Sequence, residues 1–156
     1  MGNAPSGTRL SAEHCASALL SNAAATLEAA HDTPTFLAAL RQSHSAWLAV
    51  GEIACRKGWM DPSSRTLTFA LSVSWPCPRV AGDDCISALI DLSTREAEVL
   101  AAPHPATLAA ERCRLAWGGS GTHDTFHDWL VAKLQATGDA IETPLPNLEL
   151  MAAARA

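Results

Sequence analysis

Arg65-Thr66-Leu67-Thr68-Phe69-Ala70-Leu71-Ser72-Val73-Ser74-Trp75 is the stretch on which the fold class turns. Its large apolar residues, Leu67, Phe69, Leu71, Val73 and Trp75, alternate with small or polar ones, the pattern of a half-buried strand. The flanks argue the other way. Asp61-Pro62 reads as a cap followed by the residue favoured in a first helical turn, and Pro76 as a stop. A single strand would also need a partner for its ladder, and no second segment of that character exists in the chain. The stretch is therefore read as helix, and the protein as all-α. A strand here would overturn that reading.

Outward from this stretch, the patterns are helical. Ser11 is placed to cap a helix running to about Ala30, with Ala18, Leu19, Leu27 and Ala30 available to face inward. In the next helix, Thr33 is read as the N-cap, Pro34 as the first helical residue and Gly58 as the stop. Phe36, Leu40, Ser43, Trp47, Val50 and Ala54 recur at steps of three and four and form one face, which Leu37, Leu48 and Ile53 widen. This helix is expected to be the central, most buried one. Beyond Pro76-Cys77-Pro78, Asp83 or Asp84 opens a helix to about Ala102, with an exposed Asp91–Arg95 pair. Pro103 and Pro105 end it and start another, Ala106 to Trp117, closed by Gly118-Gly119. A final firm helix runs from about His123 to Ala136 and ends at Gly138. The expectation is a compact bundle of five or six helices joined by short Gly/Pro loops. Residues 1–10 form a flexible arm, 11–140 a single helical domain, and 141–156 a tail in which Pro144 and Pro146 precede a short terminal helix.

Composition narrows the function. The chain has 156 residues, enough for one core, and 48% are hydrophobic against 17% charged, which excludes an unfolded polyelectrolyte. Alanine makes up about a fifth of the chain, a bacterial-looking bias. A net charge of −5 with scattered Lys and Arg offers no basic stripe, so nucleic acid is not an expected ligand. No apolar run reaches the roughly 20 residues of a membrane span, and the N-terminus lacks the shape of a secretory signal. Gly2 and Ser6 fit a myristoylation consensus, but no polybasic patch supplies a second anchor. Five irregularly spaced cysteines without a CxxC pair point to a reduced, cytoplasmic protein whose thiols serve as small core residues.

No phosphate loop, nucleophile elbow or dinucleotide fingerprint is present. His123 and His127 lie four apart, a helical spacing that suits a metal, with Asp124 and Asp128 as further ligand types. The zinc-hydrolase pattern needs a glutamate where Asp124 stands, so the preferred reading of these four is a solvated helix face. Cys77-Pro78 is a dipeptide seen in some haem-responsive proteins and is read as a loop thiol. No cofactor is expected. Among five tryptophans and no tyrosine, Trp59, just past the Gly58 stop, is the best candidate for an exposed partner contact.

Read in order, Ala39-Leu40-Arg41-Gln42-Ser43-His44-Ser45-Ala46-Trp47 resembles the Ala-Leu…Asn-x-x-Leu-Trp segment of the flagellar regulator family FlaF. A loop with Gly58, a helical run from Ser64 to Trp75 and a linker with Gly82 follow. Ile86-Ser87-Ala88-Leu89-Ile90-Asp91-Leu92 then looks like that family's Leu-Ile-Asp-Ile-Asn signature. The likeness spans roughly Ser17 to Ala102. His44 and Ser93 stand where the family has asparagines, the family's N-terminal tyrosine is missing, and the helices from 105 on have no counterpart. The resemblance implies a non-enzymatic cytosolic helical protein of flagellated bacteria that binds flagellin, supports its secretion and regulates its synthesis. It carries over partner contacts at Trp47, Leu89, Ile90 and Asp91, the first three of which also suit a core. Two alternatives stand beside it. One is a small metal- or haem-binding helical protein using His123 and His127 or Cys77. The other is an accessory subunit of a larger enzyme, docked through its tail.

Overall fold

A computed structural model describes residues 10–75, 83–119 and 123–142, without the side chains of 83, 123, 124 and 138–142. Six α-helices account for nearly all of the described chain: α1 (Ala12–Ala29), α2 (Thr33–Lys57), α3 (Ser64–Ser74), α4 (Asp83–Ala101), α5 (Ala106–Trp117) and α6 (His123–Glu142). No strand occurs among the described residues. The fold is an all-α bundle.

The deciding stretch is helical because its start is properly capped. The Ser63 hydroxyl accepts the Thr66 backbone N–H at 3.2 Å, and Asp61-Pro62 lies just ahead of that cap. The residues α3 buries are Ala70 and Ser74, one turn apart, whereas Phe69 and Trp75 are exposed. Strand-like alternation thus reflects large residues distributed around a short helix. Its small residues are the fully buried ones, while Leu67, Leu71 and Val73 pack half-buried against the core.

Three boundaries differ from expectation by local chemistry. Ser63, not Asp61, caps α3, so Pro62 lies ahead of the helix and not in its first turn. Asp32, not Thr33, caps α2: its carboxylate accepts the Thr35 N–H at 2.9 Å, while Thr35 Oγ1 accepts the Asp32 N–H at 3.1 Å. This reciprocal arrangement satisfies two otherwise orphaned donors. At the other end, α6 continues through Gly138 to Glu142 instead of stopping. Gly58 and Gly118 do close α2 and α5, with φ of 69° and 64°, the left-handed geometry that a side chain disfavours.

The main correction concerns the centre of the bundle, which is α1 rather than α2. α1 packs against α2, α4, α5 and α6, most extensively against α4. Successive helices from α2 to α6 touch one another and α6 meets α2, so the four that pack on α1, joined by α3 bridging α2 and α4, form a ring around it. Cys15, Ala16, Ser17, Ala18, Leu19 and Leu20 are buried in succession, so α1 has no solvent face through its middle. A helix enclosed on all sides needs short side chains to let its neighbours approach, which is the use of its alanines. Its buried His14 Nδ1 has no hydrogen-bond partner, whereas Ser17 is paired with a neighbouring helix. Ser17 Oγ donates to the Ala97 carbonyl of α4 at 2.6 Å.

α2 keeps most of its predicted inward face, since Leu40, Ser43, Trp47, Val50 and Ala54 are buried and Phe36 is half-buried, and Ile53 widens it as expected. The expected widening fails at Leu37 and Leu48, which are exposed. The anticipated Asp91–Arg95 ion pair does not form, and both residues face solvent. Of the cysteines, Cys15 and Cys113 are core residues as expected, whereas Cys55 and Cys85 are exposed, and Cys77 lies outside the described residues.

Candidate functional site: a groove between α2, α3 and α6

A second stripe on α2, rotated from the inward one, carries Arg41, His44, Ser45, Leu48, Ala49, Gly51 and Glu52. Leu67 and Leu71 of α3 form one bank beside it, and Val131 and Gln135 of α6 the other. The resulting open groove has a volume of about 840 Å³, with Trp47 closing its floor from beneath. From Arg41 to Glu52 it runs about 16 Å along α2 at 1.5 Å per residue, roughly three helical turns.

Gly51 sets the spacing of α2 and α3. A Cβ built there would stand 3.0 Å from Leu67 Cδ2, so a bare glycine lets the Leu67 side chain seat against the α2 backbone. The far end of α3 is fastened by His44. Its Nδ1 lies 3.2 Å from Ser74 Oγ, and that hydroxyl already donates to the Ala70 carbonyl at 2.6 Å. Ser74 therefore accepts, and His44 Nδ1 carries the proton. The same imidazole meets the Trp75 ring edge-on at 5.1 Å between centroids.

The α6 bank is fixed by His127, which is buried and places Nε2 3.2 Å from Ser45 Oγ. A serine–histidine contact beside a groove invites a hydrolytic reading. Ser45, however, sits in the middle of α2, where the neighbouring backbone N–H groups donate within the helix. It has no pair of free amides beside Oγ of the kind that stabilises an oxyanion. The contact fastens α6 to α2.

The groove floor is apolar and its ends are charged oppositely, with Arg41 towards the start of α2 and Glu52 towards its end, the latter 3.7 Å from Arg56. Leu48 is 51% exposed at its centre, a large apolar side chain left in water. Such a surface, apolar inside a polar rim, is a docking geometry for another apolar stripe.

The residues predicted to contact a partner mostly lie elsewhere. Trp47 and Leu89 are fully enclosed, with Trp47 Nε1 donating to Ser93 Oγ at 3.1 Å, so neither reaches a partner directly. Trp47 acts as the groove's support. Ile90 and Trp59 are half-buried against the core and Asp91 is exposed, all three away from the groove. Met60, beside Trp59, is 85% exposed.

His123 and His127 do share helix α6, as predicted. His127 is turned into the α2 interface, whereas Asp128 is exposed, so these two do not converge on one point. The side chains of His123 and Asp124 lie outside the described residues. Among the described residues no three His, Cys, Asp or Glu side chains gather as a metal site would require. No described helix is long and apolar enough to cross a membrane.

Leu48 was expected on the inward face and Leu67 and Leu71 were read only as part of the alternating stretch, while Gly51 and Val131 were not singled out. The signal for them was available: Arg41, His44, Leu48 and Glu52 form a mixed stripe next to the inward one. No protein-family model, curated protein or solved structure matches the chain.

Proposed function

We propose that this chain is a non-enzymatic binding protein whose α2–α3–α6 groove receives an amphipathic helix of a flagellin-like client. The observation that carries the reading is Leu48, exposed at the centre of an apolar groove with charged side chains at its rim. Three helical turns of groove match a ligand helix presenting anchors at i, i+3 or i+4, and i+7. Arg41 at one end favours a client that carries an acidic group there, while Glu52 at the other is already paired with Arg56. Covering the client's apolar stripe keeps it from self-assembly, which is what a secretion chaperone has to do. The order of sequence features shared with the FlaF family points to the same class of client.

The test is affinity purification of the tagged chain from its native cells, with mass spectrometry and metal analysis of the eluate. Flagellin as the main stoichiometric partner is the expected result. Its binding should weaken at least tenfold with Leu48→Asp or Val131→Asp, at unchanged circular dichroism. An enzyme subunit in its place, one bound metal per chain, or flagellin binding indifferent to both groove variants would each refute the reading.

A further inference from the structure

The direction of α6 along the groove fixes where the chain leaves it. His127 of α6 sits against Ser45, only one helical turn, about 6 Å, from Arg41 at the groove's start. Val131 and Gln135, about 6 and 12 Å farther along α6, both line the groove. There is room for both only if α6 runs towards Glu52, in the same direction as α2. α6 therefore leaves the groove at its Glu52 end and stops at Glu142, about 10 Å beyond Gln135.

Residues 143–156 follow directly, and their sequence has two parts. Residues 143–147 hold Pro144 and Pro146 and, fully extended, reach about 17 Å, enough to turn back to the groove. Asn147 is then a favoured N-cap for a run of good helix formers, Leu148-Glu149-Leu150-Met151-Ala152-Ala153-Ala154-Arg155. At the helical spacing, Leu148, Leu150, Met151 and Ala154 share about 160° of arc, with Glu149 on the opposite side. Residues 148–156 as a helix span about 13 Å, against about 16 Å of groove.

We propose that residues 148–156 fold back as a helix into the α2–α3–α6 groove of their own chain, with Met151 against Leu48, and close it to other apolar helices.

A chain returning from Glu142 enters at the Glu52 end and runs towards Arg41, against the direction of α2. The C-terminal carbonyls of the returning helix, the negative end of its dipole, then meet Arg41. A helix this short is marginal in water by itself and gains its order from burying its apolar side. A tether of five residues holds it at an effective concentration on the order of millimolar, so modest contacts suffice. The occupant covers Leu48, the large apolar side chain that α2, α3 and α6 leave exposed. Displacement of the tail by a client rests on the function proposed above; docking of the tail does not, and it is measured with no client present.

The full-length chain is made with photo-methionine at Met1, Met60 and Met151, irradiated, and its cross-links mapped by mass spectrometry. A mixture of unlabelled and 15N-labelled chains separates links within a chain from links between chains. The expected product joins Met151 to α2 between residues 45 and 52, or to Val131 or Gln135, within one chain. Met60, exposed and not among the groove residues, is the control. Amide exchange over residues 149–154 should be slowed on the order of tenfold relative to an unstructured peptide. Leu48→Asp should remove both signals while the protection of α1 to α6 is retained. Links from Met151 to other faces or only between chains, unprotected amides over 149–154, or signals that survive both Leu48→Asp and Val131→Asp would each overturn the proposal.

Discussion

Replacing Gly51 by alanine sets two known effects against each other at the groove. Glycine within a helix costs about 0.8–1.0 kcal/mol relative to alanine, and Gly51 lies well inside α2. Against this gain stands a new methyl 3.0 Å from Leu67 Cδ2, closer than such atoms sit at rest. The atom approached is the tip of a half-buried side chain on the groove bank, free on one side, so it can swing away. Moving it a few tenths of an ångström forfeits only part of several contacts worth about 0.1–0.2 kcal/mol each. The net should be stabilisation by about 0.5 kcal/mol, or a Tm increase of about 1–2 °C for a chain of this size. Urea denaturation with a common slope measures it. The groove should also narrow, because Leu67 turns into it, and the client should bind more weakly even though the protein is more stable. Destabilisation beyond about 0.5 kcal/mol would refute the reasoning, as it would mean that Leu67 is held rigidly and α3 itself must move.

Other outcomes follow from buried and capping groups. Trp47→Ala should lower stability by about 3–5 kcal/mol and abolish client binding with it, because the indole supports the groove from the core; equilibrium unfolding reads this. The Thr35 hydroxyl and N–H hold the Asp32 carboxyl below its usual value, so the contribution of that cap is present above about pH 4 and is lost on acidification. Asp32→Asn, which still caps, should flatten the acid limb of a Tm-against-pH curve while leaving neutral stability nearly unchanged. Glu96 has the opposite sign. Burial first, then Asp61, push its carboxyl upward, and Oε1 lacks a hydrogen-bond partner, so its contribution is present at low pH and lost as pH rises through the raised value. Glu96→Gln should therefore stabilise at about pH 7 and make no difference at about pH 3.5, measured by urea midpoints at both.

How much of this was legible in the sequence depends on whether a feature is local. Ser11, Gly58 and Gly118 mark helix ends by chemistry confined to a few residues, and each end is where those residues place it, whereas the cap of α3 is Ser63 and not the Asp61 two residues before it. The Thr33–Asp32 error is of the same local kind, because Asp32 and Thr35 together make a better box than Thr33 and its neighbours. α6 outruns Gly138 because one glycine costs a helix only about 1 kcal/mol, less than continued packing can supply. The location of the core was misread for a different reason. α2 has the clearer amphipathic stripe, and a clear stripe is the mark of a helix with one wet side. α1 shows weak periodicity because it has no wet side, and its run of small residues was the sign to follow. The groove was missed because Leu48 was assigned to the core by polarity alone. Nothing in α2 taken by itself says that α3 and α6 stop short of covering it.

The enclosure of α1 by all the later helices but α3 has a consequence for synthesis. Of the six helices α1 leaves the ribosome first, yet α6, which closes the ring, ends at Glu142. At about 5–20 residues per second, the interval between their appearances is several seconds. During that time the nascent chain holds an apolar helix for which no complete container exists. The decisive step of folding therefore waits for α6 to emerge. Any stop within α6 would release a chain with its innermost helix laid open, a substrate for holdases and proteases and not a smaller version of the protein.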